Sequence, residues 1–252
     1  MQTARTIGLS RSRRILTVAA VAAASAASAR CAPYVEVGSP ASGTLAGPAA
    51  TRTATRGPAA DVSSSGRATA DVLRAESYGT YIGSILAERD STLQRWPDRR
   101  ADPIRVHLDG NLDGRQIPAA FESAVESAFT EWSSIGLPIR FVYVRRAEDA
   151  DVQVHFADYL QQKTGSTTWR ANHAGWLLGG DITLATHIGG GQPIDAHGMR
   201  QIALHEVGHL VGLSHSPNPR DIMAPLVRAN DLTAEDVATA RLLYSFQPGR
   251  VD

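Results

Sequence analysis

Five residues have types and spacings that imply one chemistry. His205, Glu206, His209, Gly212 and His215 form the pattern HExxHxxGxxH. His205 and His209 are four apart, so on an α-helix both imidazoles lie on one face, one turn apart, and reach a single ion. Glu206 follows His205 and points along the rim of such a site, as a carboxylate beside the ion rather than a ligand. Gly212 marks the expected helix end, because glycine adopts the left-handed backbone of a sharp turn at little cost. The chain then turns back and His215 supplies a third ring. Three neutral imidazoles leave a fourth tetrahedral position open for water, which is the arrangement of a catalytic zinc rather than a closed structural one. At roughly one chance in ten for each residue, coincidence at five fixed positions is on the order of 10⁻⁵ per start site.

The flanking sequence predicts the elements that must hold these side chains. Met199, Ala203, Val207, Leu210 and Val211 fall within one arc of the helix, away from His205 and His209, so one side packs on a core and the other faces a cleft. Upstream, residues 104–108 alternate as a half-buried strand. Pro118 opens a helix through about residue 133, with Ala120, Val125, Ala128 and Trp132 on its inner face. Residues 139–144 and 151–156 read as strands. Strands mixed with long helices and without a βαβ repeat point to an α+β fold. A segment of about 150 residues buries most of its surface and needs no staple.

The long motif resembles the zinc-binding signature of metzincin proteases, and several other segments are similar to the matrixin branch of that family. Ser216 follows the third histidine, as in matrixins. Met223 stands within residues 216–225, which resemble the metzincin Met-turn. Residues 148–156 are similar to a central matrixin strand, 179–184 to the edge strand beside the substrate cleft, and 232–244 to the final helix. The resemblance spans about residues 96–247. It implies a zincin-like α+β fold with a mixed twisted sheet, a long active-site helix, a Met-turn and a C-terminal helix. It further implies an endopeptidase with one catalytic Zn²⁺ on His205, His209 and His215, and Glu206 as general base and then acid. Met223 is expected beneath the metal as an apolar floor, not as a ligand. Pro225 and Leu226 are expected to border the pocket for the residue after the cut. Gly180 to Leu184 are expected to pair with an extended protein or peptide substrate. Thr183, Ala185 and Thr186 stand where vertebrate matrixins bind a second zinc and Ca²⁺, so the resemblance does not carry those ions over. His155, His173, His187 and His197 have no partner at ligand spacing and read as surface or core histidines.

Residues 1–29 read as an export signal: Arg5, Arg11, Arg13 and Arg14, then apolar and small residues, then Ala27-Ser28-Ala29. A membrane anchor is disfavoured, because the apolar stretch falls short of a spanning length. The expected destination is secreted or periplasmic. Residues 30–70, rich in small and polar residues, read as a low-complexity linker or prosegment. Residues 71–95 read as a helical segment packing through Val72, Tyr81, Ile85 and Leu93, and residues 96–247 as the catalytic domain. Cys31 is the single cysteine, so no intramolecular disulfide forms. It could be a lipidation site, a matrixin-type cysteine switch or incidental. Arg30 opposes the first and only Arg30-Cys31 matches the second, so the third is favoured. With 25 basic and 25 acidic residues the chain is neutral, which argues against nucleic acid as a partner. A monomer is expected. The competing reading is an exported, zinc-stabilised binding module without proteolytic activity. Glu206 counts against it, since a structural metal needs no base.

Overall fold

The computed structural model describes residues 71–251 apart from 74, 76, 162 and 190. The expected export signal, the expected linker or prosegment and Cys31 lie outside the described residues. The elements run α1 (Ile82–Glu88), β1 (Thr92–Leu93), β2 (Arg99–Leu108), the short β3 (Asn111–Leu112) and β4 (Arg115–Gln116), α2 (Ala119–Ser134), β5 (Ile139–Tyr143), β6 (Val152–Ala157), β7 (Gly165–Ala171), β8 (Leu177–Ala185), the short β9 (His187–Ile188) and β10 (Gln192–Pro193), α3 (Ala196–Val211), α4 (Ala234–Ser245) and β11 (Gly249–Arg250). Five strands form one mixed sheet in the order β5-β2-β6-β8-β7. The first four are parallel, and β7 closes the row antiparallel to β8. The mixed sheet and long helices form the α+β arrangement that the sequence implies.

Local sequence explains the main pieces. In β6 the side chains alternate, with Val152, Val154 and Phe156 buried. Pro118 caps α2, whose fixed φ suits a helix start, and Phe121, Val125, Ala128, Phe129 and Trp132 form its buried stripe. At the head of α3, the Asp195 carboxylate accepts from the Gly198 N–H at 2.7 Å. At its end Gly212 has φ 117°, and a Cβ there would lie 2.4 Å from the Gln94 carbonyl oxygen, so both backbone and space demand glycine. In α4, Thr233 and Asp236 form a reciprocal capping box. α2 and α3 pack on each other, α2 against β5 and α3 against β7 and β8. Trp132 and Trp96 tie the core to α3, their indole N–H groups donating to the carbonyls of Leu204 and Leu210 at 2.9 and 2.8 Å.

Ala120, expected on the inner face of α2, is exposed. Two larger expectations also change. Residues 71–95 are not one helix. After α1 the chain turns through Asp90 and Ser91, both at positive φ, and β1 then pairs antiparallel with β11. Tyr81, Ile85 and Leu93 are buried as anticipated, whereas Val72 is 44% exposed. Tyr81, Ile82, Ile85 and Leu93 belong to the same buried cluster as Ile104, Val125 and Leu243. The second change concerns residues 179–184. They lie in β8, which is bonded on one side to β6 and on the other to β7. Among the described residues the sheet's open edges belong to β5 and β7, and β7 is the one packed beside α3. No helix among the described residues is long and apolar enough to cross a membrane.

Candidate metal centre

α3 delivers His205 and His209 from one face, and the turn at Gly212 brings back His215. The ring centroids stand 4.7, 5.4 and 4.8 Å apart for the pairs 205–209, 205–215 and 209–215. One nitrogen from each ring lies within 4.8 Å of the other two, and the three form the one such group of potential ligands among the described residues. Two rings are oriented from behind. His205 Nδ1 faces the Ile222 carbonyl oxygen at 2.7 Å, and His209 Nδ1 faces that of Leu213 at 3.0 Å. A nitrogen facing a carbonyl oxygen carries the proton, so both Nε2 atoms are bare. Those bare nitrogens face each other at 3.1 Å. Two lone pairs this close repel unless a cation lies between them. A tetrahedral zinc with Zn–N bonds of about 2.0–2.1 Å holds its nitrogens roughly 3.3 Å apart, so the donor set fits the ion.

Electrostatics agree. Burial, and then the neighbouring His215, pull His205 down to about 4. Burial, and then the neighbouring His205 and His215, hold His209 well below its ordinary value, and burial also lowers His215. All three are neutral near pH 7, which is the ligand form. Burial pushes Glu206 up to about 7, against the opposing Thr167 hydrogen bond and the Lys163 charge.

The backing is held in turn. Asp236 at the head of α4 is buried and accepts from the N–H groups of Ile222, Met223 and Thr233 at 3.0, 3.4 and 3.0 Å, and from the Tyr81 hydroxyl at 3.1 Å. That fixes the segment whose Ile222 carbonyl orients His205. Arg89 donates to the carbonyls of Gly212 and Leu213, both at 2.9 Å, and its guanidinium lies over the Trp169 ring at 4.8 Å. The Leu213 oxygen therefore serves Arg89 and His209 together. Ser216 donates to buried Asp221 at 2.6 Å, and Asp221 also accepts from Thr233. Met223 is fully buried against α3, where a Cβ on Gly208 would meet its sulfur at 2.3 Å.

The structure thus gathers His205, Glu206, His209, His215 and Met223. Pro225 and Leu226 are exposed, and they line a depression with Ser216, Pro217, Pro219, Ala224 and Arg228. Gly180 and Leu184 do not border that depression or a free edge. Gly180 is paired with both Val152 and Trp169, and a Cβ there would meet Leu210 at 2.9 Å, so this glycine lets α3 approach the sheet. Leu184 is wholly buried. His155 and His187 sit 3.9 Å from Asp109 and Asp158, and His197 contacts Asn230. Sequence reading missed Arg89, Asp221, Asp236, Gly165 and Thr167. The Thr233-x-x-Asp236 pattern was a usable signal for Asp236, and nothing local points to Arg89.

Comparison with known proteins agrees with this geometry. The matrixin family model matches residues 110–245. The chain is 32% identical to matrix metalloproteinase-15 of Homo sapiens over 151 residues, which is 50% of this chain and 22% of the human protein. It is 28% identical to metalloendoproteinase 1 of Glycine max over 150 residues, 51% of this chain and 47% of that protein. It is 32% identical to metalloendoproteinase 2-MMP of Arabidopsis thaliana over 176 residues, 61% of this chain and 44% of the plant protein. The chain spans less than half the length of each of these relatives.

Proposed function

From its membership of the matrixin family, whose model matches more than half of the chain, we propose that this protein is an exported zinc-dependent endopeptidase acting on proteins or peptides. The observation that carries the reading is the pair of bare Nε2 atoms 3.1 Å apart, with a buried carboxylate in the residue after the first ligand. His205, His209 and His215 hold the ion. When bound, zinc polarises the scissile carbonyl and makes water easier to deprotonate. Glu206 takes a proton from the attacking water and later gives it to the leaving amine. Met223 keeps the floor of the site apolar and stiff. The free edge of β7 receives the substrate as an added strand, in place of residues 180–184. Pro225 and Leu226 border the pocket beyond the cut, and residues 1–29 direct export.

Substitution of Glu206 by Gln is the test. Metal analysis should still find one zinc, while peptide cleavage falls by about 10²–10⁴-fold. Undiminished cleavage removes Glu206 from the mechanism. A wild-type protein that binds zinc but cleaves no casein or gelatin would support the binding-module reading instead.

A further inference from the structure

The free-edge strand carries more than a substrate edge. Gly165 and Thr167 are two apart on β7, so they face the same side of the sheet. That side holds Glu206. A Cβ on Gly165 would lie 2.3 Å from Glu206 Oε1, 2.6 Å from its Cγ and 2.7 Å from its Cδ. Gly165 is therefore the space into which the carboxyl arm fits. Thr167 Oγ1 lies 2.6 Å from Glu206 Oε2 and 3.0 Å from the main-chain oxygen of the same residue. Thr167 is 2% exposed and Glu206 5% exposed, so bulk water does not take over this contact.

We propose that Thr167 is a positioning residue for Glu206, holding its carboxyl group in one place beside the metal ligands, with Gly165 as the clearance that admits it. The inference rests on the endopeptidase reading above. The Thr167 hydroxyl donates to Oε2 of Glu206, and the main-chain oxygen of the same residue lies beside it, so the carboxyl arm is tied to a buried strand rather than free to turn. A carboxyl without this partner would have a buried, unsatisfied oxygen and more freedom to swing.

The test compares Thr167→Val, nearly the same shape without the hydroxyl, with Thr167→Ser, which keeps it. In zinc-loaded protein Thr167→Val should keep one zinc and its KM, and lose about 10- to 100-fold in kcat. Thr167→Ser should recover most of that loss. Thr167→Ala carries the same contrast if the valine variant does not fold. The carboxyl stretching band of Glu206, isolated by subtracting the infrared spectrum of Glu206→Gln, should move in Thr167→Val and return in Thr167→Ser. A kcat within about 3-fold of wild type for Thr167→Val, against the loss expected for a bond to a charged group, overturns the proposal. So does a loss that serine fails to recover, or a band that does not move. A wild-type protein without peptidase activity sinks the endopeptidase reading instead, and the infrared comparison still decides whether Thr167 holds Glu206.

Discussion

Gly208 lies on α3 between two of the histidines, and Gly208→Ala tests how the metal floor is packed. In an open helix alanine is better than glycine by about 0.8–1.0 kcal/mol. Here the new methyl would meet Met223 Sδ at 2.3 Å, Trp132 Cζ2 at 3.0 Å and Met223 Cε at 3.1 Å. Comfortable carbon contacts lie at about 3.5–4.0 Å, so the sulfur must retreat by more than 1 Å. A methionine is flexible, but Met223 and Trp132 are both 0% exposed, so neither has free space to enter. Overpacking of this kind costs about 1–3 kcal/mol, and enclosure on all sides places it at the upper end. Subtracting the helix gain leaves a net loss of about 2 kcal/mol, or roughly 4–8 °C in Tm for a domain of this size. Zinc affinity falls as well, because displacing Met223 shifts the neighbouring Ile222 carbonyl that orients His205. The assay is calorimetric melting of the zinc-loaded protein, with metal affinity from chelator competition. In a Met223→Ala background the same substitution should lose most of that cost, because only the 3.0 Å contact with Trp132 remains. If Gly208→Ala melts at or above the wild type and the background makes no difference, Met223 does not press on α3 and the reasoning fails.

Arg89→Ala removes both donors from the Gly212 and Leu213 carbonyls and should cost about 2 kcal/mol, with weaker zinc binding by chelator competition. Arg89→Lys should restore less than half, since one ammonium cannot reproduce the fork, and unchanged affinity in the alanine variant would count against the buttress. A chain beginning at residue 96 loses Leu73, Tyr81, Ile82, Ile85 and Leu93 from the core. At about 1.5–3 kcal/mol each, that loss matches the whole stability of a domain, so circular dichroism should find it unfolded while a chain from residue 71 folds. Burial acts to raise the Asp151 carboxyl, but its bonds to Arg105 and the charge of Arg99 outweigh it and hold its pKa below the ordinary value. Its stabilising contribution is therefore full above the ordinary Asp pKa and lost as pH falls through the lower, folded one. Asp151→Asn should flatten the acid limb of stability in denaturant titrations there and lower stability at neutral pH. An unchanged acid limb would refute the assignment.

The ligand set was legible because all of it lies within eleven residues whose spacing is itself the geometry. The helix end at Gly212 followed from the same local logic, and the place of Met223 from the resemblance of residues 216–225 to the Met-turn. β7 was not legible. Its inward positions are Gly165, Thr167 and Trp169, small or polar where they meet Glu206, so the apolar alternation that betrays a strand is missing. That strand completes the site, whereas the edge was assigned to residues 179–184 from their resemblance to the matrixin edge strand; which strands are neighbours is a long-range fact. The stretch 71–95 shows the same limit. Leu93 and Tyr81 read as apolar packing residues, yet the partners that turn one into strand and anchor the other, Gly249 and Asp236, lie more than 150 residues away.

The oxygen of Leu213 has a further consequence, because it answers to two masters. Any molecule that grips residues 77–93 only in their docked form also stabilises Arg89 in place, and with it His209. Thermodynamic reciprocity then requires that the ion strengthen that molecule's hold by the same factor by which the molecule slows or opposes loss of the ion at equilibrium. The amino-terminal arm is thus a handle on metal occupancy that never touches the cleft.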